Sequence, residues 1–275
     1  GFTKADVVDY YVRISATMLP HVQGFPITLK RYPNGVDGEF FYEKRCPSHP
    51  DWISTCTVPV KSGSISFCLI DDAMGLAWLG NLACLEIHTY LAHGDEPDRP
   101  MMMVFDLDPG QPATLVDCAR VALEMRDVLA NLGLQSLIKT SGSKGLHLCV
   151  PLNRPVSFDQ TKQFAHALAM LLEHRHPDSV TSVMAKNLRT GKVFIDWSQN
   201  DRAKTTASAY TLRARERPTV STPVSWEEVE RLLVKGDLTL VDFDAADVLK
   251  RVGRVGDIFA PMRTLRQLLP AWPNA

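Results

Sequence analysis

The sequence predicts a mixed α/β fold with a single catalytic core. Apolar stripes with helical spacing alternate irregularly with short apolar runs typical of strands. No repeat, low-complexity tract or long Gly/Ser linker divides the 275 residues. With 45% hydrophobic and 22% charged residues, the composition excludes a collagen-like, coiled-coil or disordered chain. We therefore expect one domain over residues 1–275.

Four helices are predicted, three of them because a capping residue opens the segment. They begin at Thr3, at Thr114, near Ser157 and at Ser225. The helix that Thr114 opens is long, and it ends before Gly133, a residue that commonly terminates helices.

Five strands are predicted from short apolar or aromatic runs bounded by turn residues. They cover residues 40–42, 101–107, 134–139, 146–150 and 193–197. The third and fourth strands are joined by a polar turn at residues 140–145. Because these strands interleave irregularly with the helices, mixed α/β is the fold class they favour.

No apolar run reaches the roughly 20 residues of a membrane span, and the first residues lack the basic and apolar regions of a signal peptide. A soluble, cytoplasmic protein is the expectation. The six cysteines show no C-x-x-C spacing, so they are expected to be small, mostly buried thiols in a reducing compartment. The alternative is a zinc site using Cys46, His49 and Cys56, although no fourth ligand is evident.

Charge is balanced overall and uneven along the chain. The 30 basic and 31 acidic residues give a net charge of −1, which does not by itself indicate a polyanionic partner. Between residues 186 and 217, however, eight basic residues accompany only three acidic ones. Because this stretch surrounds an apolar strand, we expect it to line a basic cleft.

Acidic residues interrupt two of the predicted strands. Asp106 and Asp108 are two residues apart, so they share a face, where neighbouring carboxylates repel unless a proton or cation lies between them. Mg²⁺ or Mn²⁺ would suit such oxygen ligands, although the pair could also be two exposed acids at a strand end. Asp196 lies alone in a second apolar strand, where it either pairs with a base or becomes a third ligand. Sequence leaves open whether the two strands are neighbours.

The turn at residues 141–145 has the composition of a phosphate-binding loop. It offers small residues, backbone N–H groups and Lys144, but it lacks the spacing of a P-loop. His147 follows on the next strand, where it is either a structural histidine or a contact to a phosphate or sugar.

Three segments together resemble the motifs of the archaeo-eukaryotic primase superfamily, and most of all the polymerase domain of bacterial ligase D. They are Phe-Asp-Leu-Asp-Pro-Gly at 105–110, Thr-Ser-Gly-Ser-Lys-Gly-Leu-His at 140–147 and Val-Phe-Ile-Asp-Trp-Ser-Gln-Asn at 193–200. Further similar segments lie at 32–36, 40–44, 85–88 and 204–213, so the resemblance spans nearly the whole chain. It implies a primase-like catalytic core with mixed and antiparallel sheets flanked by helices.

The resemblance also implies a role for individual residues. Two catalytic divalent ions, Mn²⁺ or Mg²⁺, would be held by Asp106, Asp108 and Asp196. The incoming nucleotide would be bound by Ser141, Lys144, His147, Gln199, Lys204 and Arg213. DNA would be contacted by Lys4, Lys30, Arg31, Phe41, His88 and Arg189, the last in a mobile loop. The family partner of Lys4 has no counterpart within this sequence, so the completeness of that 5′-phosphate pocket stays open.

The expected function is therefore that of a template-dependent nucleotidyltransferase. By resemblance it would fill gaps and extend DNA ends in double-strand break repair by non-homologous end joining, favouring NTPs over dNTPs, and would be cytoplasmic and associated with the nucleoid. Its expected partners are DNA ends with gaps or 3′ overhangs, the end-binding protein Ku, a DNA ligase and a second copy at a DNA synapse. Two alternatives are a de novo primase and a non-catalytic module that bridges DNA ends. Whether the polymerase stands alone or belongs to a ligase fusion is also open.

Overall fold

The structure is a computed structural model that describes residues 1–60, 63–202 and 204–272. The helices are α1 (Lys4–Met18), α2 (Ala73–Asn81), α3 (Leu115–Asn131), α4 (Phe158–Arg175), α5 (Trp226–Lys235), α6 (Ala245–Val255) and α7 (Pro261–Thr264). The strands are β1 (Ile27–Arg31), β2 (Phe41–Glu43), β3 (Thr55–Val60), β4 (Gly63–Cys68), β5 (Cys84–Thr89), β6 (Met102–Pro109), β7 (Leu137–Thr140), β8 (Leu146–Pro151), β9 (Val180–Thr181), β10 (Val193–Asp196), β11 (Thr206–Ala207), β12 (Leu212–Arg213), β13 (Thr219–Val220) and β14 (Pro223–Val224). This mixture confirms the predicted mixed α/β class.

The chain forms two compact units, which we call unit 1 and unit 2. Unit 1 consists of Gly1–Pro97, Ala203–Thr222 and Phe243–Asp257. Unit 2 consists of Asp98–Arg202, Pro223–Asp242 and Ile258–Ala275. The expectation of a single catalytic domain over the whole chain stays a prediction.

Unit 1 is built on a sheet with the strand order β11-β5-β1-β4-β3, and β2 pairs with β1 beside this path. Helix α1 packs against α2. As predicted, α1 begins with a capping box in which Thr3 and Asp6 each accept a backbone N–H of the other. Its apolar stripe, which includes Val7, Ile14 and Met18, is buried and anchors the helix to the core of the unit.

The cysteine prediction is wrong for two residues. Cys46 and Cys68 form a disulfide bond, whereas Cys56, Cys84, Cys118 and Cys149 are thiols. The pairing arises because the segment after β2 runs beside the end of β4, where the N–H of Cys46 donates to the carbonyl of Ser66 at 2.8 Å. This neighbourhood is created by the sheet and is not visible in the spacing of the cysteines. The bond also excludes the zinc alternative, since the sulfur of Cys46 is no longer available as a ligand.

Unit 2 is built on a sheet with the strand order β14-β7-β8-β6-β10-β9. All neighbours in it are antiparallel except β9 and β10, which are parallel. Strand β6 continues to Pro109, two residues beyond the prediction, so Asp108 lies within the strand. Strand β10 ends at Asp196, because a short 3₁₀ turn begins at Trp197.

The predicted long helices of unit 2 are confirmed. Thr114 caps α3 through a capping box with Asp117, and the chain leaves the helix through Gly133 with a φ of +77°. Ser157 and Ser225 cap α4 and α5 in the same way. Among the described residues, no helix combines the length and the apolar character that crossing a membrane requires.

Candidate active site

A row of four polar residues crosses the sheet of unit 2. Lys139 pairs in register with His147, His147 with Asp106, and Asp106 with Asp196. Because residues directly opposite one another on adjacent strands project to the same face, these four side chains share one face of the sheet. We call them the polar row. Sequence reasoning left the adjacency of the two acidic strands open, and the register of β6 and β10 decides it.

Asp108 extends the acidic end of the polar row. It lies two residues after Asp106 on β6 and therefore on the same face. Desolvation and the negative charges of Asp106 and Asp196 together raise the pKa of the Asp108 carboxyl to about 6. Burial and the two neighbouring carboxylates thus oppose the ionisation of Asp108.

Asp196 is held by the turn that follows β10. Its Oδ1 accepts hydrogen bonds from the backbone N–H of Ser198 at 3.0 Å and from the Ser198 hydroxyl at 2.6 Å. Its Oδ2 accepts one from Nε2 of Gln199 at 2.8 Å. The predicted nucleotide ligand Gln199 therefore contacts a predicted metal ligand.

His147 connects the acidic and basic ends of the polar row. Its Nε2 lies 3.2 Å from Oδ1 of Asp106, and its Nδ1 lies 2.8 Å from Nζ of Lys139. Lys139 is only 2% exposed, and sequence reasoning missed it. Lys139 could have been recognised because it is a basic residue next to an apolar strand segment. The same argument identified Asp196, a charged residue in an apolar strand.

The turn at residues 141–145 is tightly folded against β6. The Ser141 hydroxyl oxygen accepts the N–H groups of Ser143 and Gly145, both at 3.1 Å, and its backbone N–H donates to the Gly145 carbonyl at 2.9 Å. A Cβ on Gly145 would lie 1.9 Å from the carbonyl oxygen of Leu107, so only glycine fits. Lys144 is exposed at the tip of the turn. Such a turn presents N–H groups and one cation to an anion.

Arg189 is anchored within unit 2. Its guanidinium stacks on Phe194 at 3.6 Å from the ring centroid and donates to the carbonyl of Met184. Its positive charge also lowers the pKa of Asp108, although desolvation and the neighbouring acids outweigh this effect. That Arg189 lies in a mobile loop stays a prediction.

The acidic residues have the donor chemistry for a divalent cation. Within the described residues, no three His, Cys, Asp or Glu side chains already form a group that could hold a metal ion. The carboxylates of Asp106, Asp108 and Asp196 nevertheless offer the oxygen donors that Mg²⁺ and Mn²⁺ prefer. Burial and the two neighbouring acids raise the pKa of Asp108, and a bound cation would counter the repulsion between these carboxylates. This donor set fits the metals that the resemblance implies.

In unit 1, three of the predicted ligand-binding residues surround one buried acid. Glu86 lies 3.1 Å from Nζ of Lys30, 3.1 Å from Nε2 of His88 and 3.2 Å from Nε of Arg213. The resemblance includes the segment that contains Glu86 but implies no role for this residue. Glu86 could have been identified from the sequence, because it is a single acid among the apolar residues of β5.

Three exposed aromatic residues lie beside Lys30 and Arg31 of β1. Phe40, Phe41 and Tyr42 are 51%, 44% and 55% exposed, which favours the prediction of a contact surface over that of plain core. The guanidinium of Arg31 lies 5.3 Å from the Phe41 ring centroid, and Nζ of Lys30 lies 4.4 Å from that of Phe40.

Two further predicted residues belong to unit 1. Lys4 and Lys204 are both exposed, Lys4 at the first residue of α1 and Lys204 shortly before β11. Their predicted roles rest on the resemblance.

Comparison with known proteins gives consistent matches. A family model described as LigD, primase-polymerase domain, matches residues 3–259. The multifunctional non-homologous end joining protein LigD of Mycolicibacterium smegmatis is 42% identical over 265 residues, which are 95% of this chain and 34% of the relative. The bifunctional non-homologous end joining protein LigD of Bacillus subtilis is 29% identical over 256 residues, 92% of this chain and 40% of the relative.

A solved structure matches over nearly the whole chain. It is the polymerase domain from Mycobacterium tuberculosis ligase D in complex with DNA, with a TM-score of 0.88 and 41% sequence identity. The match covers 96% of this chain and 93% of that one. The predicted resemblance and fold class are thus confirmed. The chain spans about a third of the length of the mycobacterial relatives it matches.

Proposed function

The chain belongs to the LigD primase-polymerase family, and from this membership we propose that it is a template-dependent nucleotidyltransferase that fills gaps and extends DNA ends in double-strand break repair. The reaction would join the 3′-hydroxyl of a primer to the α-phosphate of an incoming nucleotide, with pyrophosphate as the leaving group. The curated relatives are named for non-homologous end joining, which supports this repair context.

The observation that carries the proposal is the in-register placement of Asp106 and Asp196 on adjacent strands, with Asp108 on the same face. Carboxylates from two strands at one place form the kind of platform used in two-metal phosphoryl transfer. Asp106, Asp108 and Asp196 would hold two Mn²⁺ or Mg²⁺ ions. When bound, these ions would lower the pKa of the primer hydroxyl and neutralise charge on the phosphates.

The turn at residues 141–145 would bind the triphosphate. Because the Ser141 oxygen already accepts two N–H groups, its own hydroxyl proton remains to be donated to a phosphate oxygen. Lys144 adds a positive charge at the tip of the turn. His147, Gln199, Lys204 and Arg213 are the further nucleotide ligands that we propose. In the structure, His147 and Gln199 contact the acidic residues, so they would act beside those residues.

The DNA would be bound largely through its backbone. Lys4, Lys30 and Arg31 would contact the DNA near a 5′-phosphate, and Arg189 would contact it near the primer end. His88 would face the template or the nucleotide, and the exposed ring of Phe41 would stack on a template base. Stacking of this kind is worth about 1–3 kcal/mol per base. The similar mycobacterial domain was solved in complex with DNA, which supports a DNA ligand for this chain.

Beyond DNA, Ku, a DNA ligase and a second copy of the chain are proposed partners, with a location at the nucleoid. The ligase could be part of the same polypeptide, since the chain spans only part of its relatives.

Primer extension on a gapped duplex tests the proposal. With a 5′-phosphate at the gap and Mn²⁺ present, we expect templated addition that EDTA abolishes, with NTPs used in preference to dNTPs. Dinucleotide synthesis without a primer would instead identify a de novo primase. DNA binding without any incorporation would favour the end-bridging module and contradict the proposal.

Substitution of the acidic residues distinguishes a loss of primer extension from a loss of DNA binding. Asp106→Asn and Asp196→Asn should each lower extension by about a hundredfold or more, because each removes a charge needed in the transition state, and should leave the Kd for DNA nearly unchanged. Asp159→Asn is the matched control, since this acid is exposed in the first turn of α4. Normal extension by Asp106→Asn would exclude the assigned platform.

A further inference from the structure

Glu86 is an anion buried among positively charged side chains in unit 1. It is 2% exposed and lies in the middle of β5. Its Oε1 contacts Nζ of Lys30, and its Oε2 contacts Nε2 of His88 and Nε of Arg213. The hydroxyl of Tyr32 and the backbone N–H of Ala214 also donate to Oε1, both at 3.3 Å. Five donor groups from several elements thus converge on one carboxylate.

These contacts keep Glu86 ionised. Burial by itself would raise the pKa of the carboxyl, but the hydrogen bond from His88 and the charges of Arg213 and Lys30 outweigh it and hold the pKa of Glu86 well below its usual range. The charge is therefore a permanent part of the unit at neutral pH.

Glu86 also determines which hydrogen-bonding groups its partners offer. Burial lowers the pKa of His88, so the ring is neutral at pH 7. Because a carboxylate can only accept, the ring proton lies on Nε2, and Nδ1 becomes an acceptor. Arg213 contacts Glu86 through Nε, one of its five N–H donors. Lys30 contacts the carboxylate while its ammonium group lies against the rings of Phe40 and Tyr42.

The carboxylate of Glu86 reduces the repulsion between Lys30 and Arg213. Lys30 and Arg213 each lie within 3.2 Å of the same carboxylate, so without it two positive charges would face each other at close range. With it, both cations are held in defined positions and remain able to meet a further anion through their other N–H groups.

We propose that Glu86 is a positioning residue that gathers Lys30 and Arg213 into one face that binds substrate phosphate groups, and that it fixes the His88 ring beside them. The inference rests on the proposed function, which supplies two sources of phosphate, a nucleoside triphosphate and the DNA backbone. In this proposal Glu86 itself contacts neither the triphosphate nor the DNA. It acts by compensating the charge of the cations that do.

The test compares binding and turnover in Glu86→Gln, which keeps the shape of the side chain and removes its charge. We expect the Kd for ATP, for a 5′-phosphorylated gapped duplex, or for both to rise about tenfold, because displaced cations no longer meet the phosphates in a defined geometry. The turnover number at saturating substrate should stay within about threefold of the wild type, since the acidic residues of unit 2 are untouched. An effect on one ligand alone identifies the source of the phosphate.

Asp257→Asn is a matched control. Asp257 is also a partly buried acid of unit 1 that contacts a histidine, His21 at 2.8 Å, and a tyrosine hydroxyl, Tyr210 at 2.7 Å. We expect it to lower the Tm and to leave both Kd values unchanged. If Glu86→Gln does not fold, Glu86→Asp keeps the charge but shortens its reach, and the same rise in Kd is expected.

The possible outcomes distinguish a failure of the Glu86 inference from a failure of the proposed function. If every foldable Glu86 variant lowers the Tm and leaves both Kd values within twofold of the wild type, Glu86 is only structural and the inference is wrong. If the wild type binds ATP and DNA but does not extend a primer, the proposed function fails, and the Kd comparison still decides the role of Glu86.

Discussion

Nζ of Lys139 lies 2.8 Å from Nδ1 of His147. In its ammonium form Lys139 has no lone pair to offer, so Nδ1 then accepts this hydrogen bond and Nε2 carries the ring proton. That proton then faces Oδ1 of Asp106 at 3.2 Å. Lys139 thereby sets which nitrogen of His147 presents its proton to a proposed metal ligand.

Replacing Lys139 by methionine should disturb this orientation. The methionine fills a similar volume but donates nothing to Nδ1, so we expect His147 to populate both tautomers. Primer extension should fall about tenfold, in the range seen when outer partners of ligands are removed. The ¹⁵N chemical shifts of the His147 ring report the tautomer directly.

Lys162→Met is the control for the loss of a lysine in unit 2, because Lys162 lies on α4 and pairs with Asp201. It should leave the His147 shifts and extension unchanged. An unaltered His147 tautomer in Lys139→Met would show that Lys139 does not set it.

Asp108 predicts an unusual dependence of stability on pH. Its folded-state pKa of about 6 exceeds the ordinary value of 3.8, so the folded protein binds more protons than the unfolded chain between these values. Stability contributed by this group is therefore present at low pH and lost as pH rises through about 6. In EDTA at pH 7.5, Asp108→Asn should raise the Tm by about 2 °C, and this gain should shrink at pH 4.5.

Thermal unfolding of the two proteins at both pH values measures this difference. Mn²⁺ should raise the Tm of the wild type more than that of Asp108→Asn, because a cation bound by the native carboxylates stabilises the folded state. A larger gain for Asp108→Asn at pH 4.5 than at pH 7.5 would contradict the assigned direction of the pKa shift.

The disulfide between Cys46 and Cys68 should contribute measurably to stability. It closes a loop with a sequence separation of 22 residues, for which chain entropy predicts about 3 kcal/mol. Cys46→Ser should lower the free energy of unfolding by about that amount, and dithiothreitol should have a similar effect on the wild type alone. Denaturant unfolding with and without the reductant measures this, and Cys56→Ser, at a free thiol, is the control.

Two glycines should respond to alanine with opposite signs. Gly145→Ala places a methyl group 1.9 Å from the Leu107 carbonyl, so the turn at residues 141–145 must move away from β6. We expect a loss of at least about 2 kcal/mol in stability and weaker triphosphate binding. Gly253 lies within α6, and a methyl group added there would have no neighbouring atom within 4 Å, so Gly253→Ala should add about 0.5–1 kcal/mol.

Chemical denaturation of both variants and ATP titration of Gly145→Ala test this pair. A stable Gly145→Ala with unchanged affinity for ATP would mean that the turn tolerates displacement and that its tight packing is not needed for the proposed binding.

Local chemistry made much of the fold predictable from the sequence. The caps at Thr3, Thr114 and Ser225 each satisfy backbone N–H groups within three residues, so the starts of these helices depend on near neighbours only. The acids Asp106, Asp108 and Asp196 were equally visible, because a charge in an apolar strand is costly and therefore conspicuous.

What the tertiary structure decided is which distant residues meet. The register of β6, β8 and β10 joins Asp106 to His147 and Asp196, and the register of β7 adds Lys139. Tertiary packing likewise brings Cys46 to Cys68 and places Lys30, His88 and Arg213 around Glu86. Strand register depends on the packing contacts of the whole sheet, so it cannot be inferred from any short segment of the sequence. The sequence by itself therefore determined the chemical types present, and the tertiary structure determined their partners.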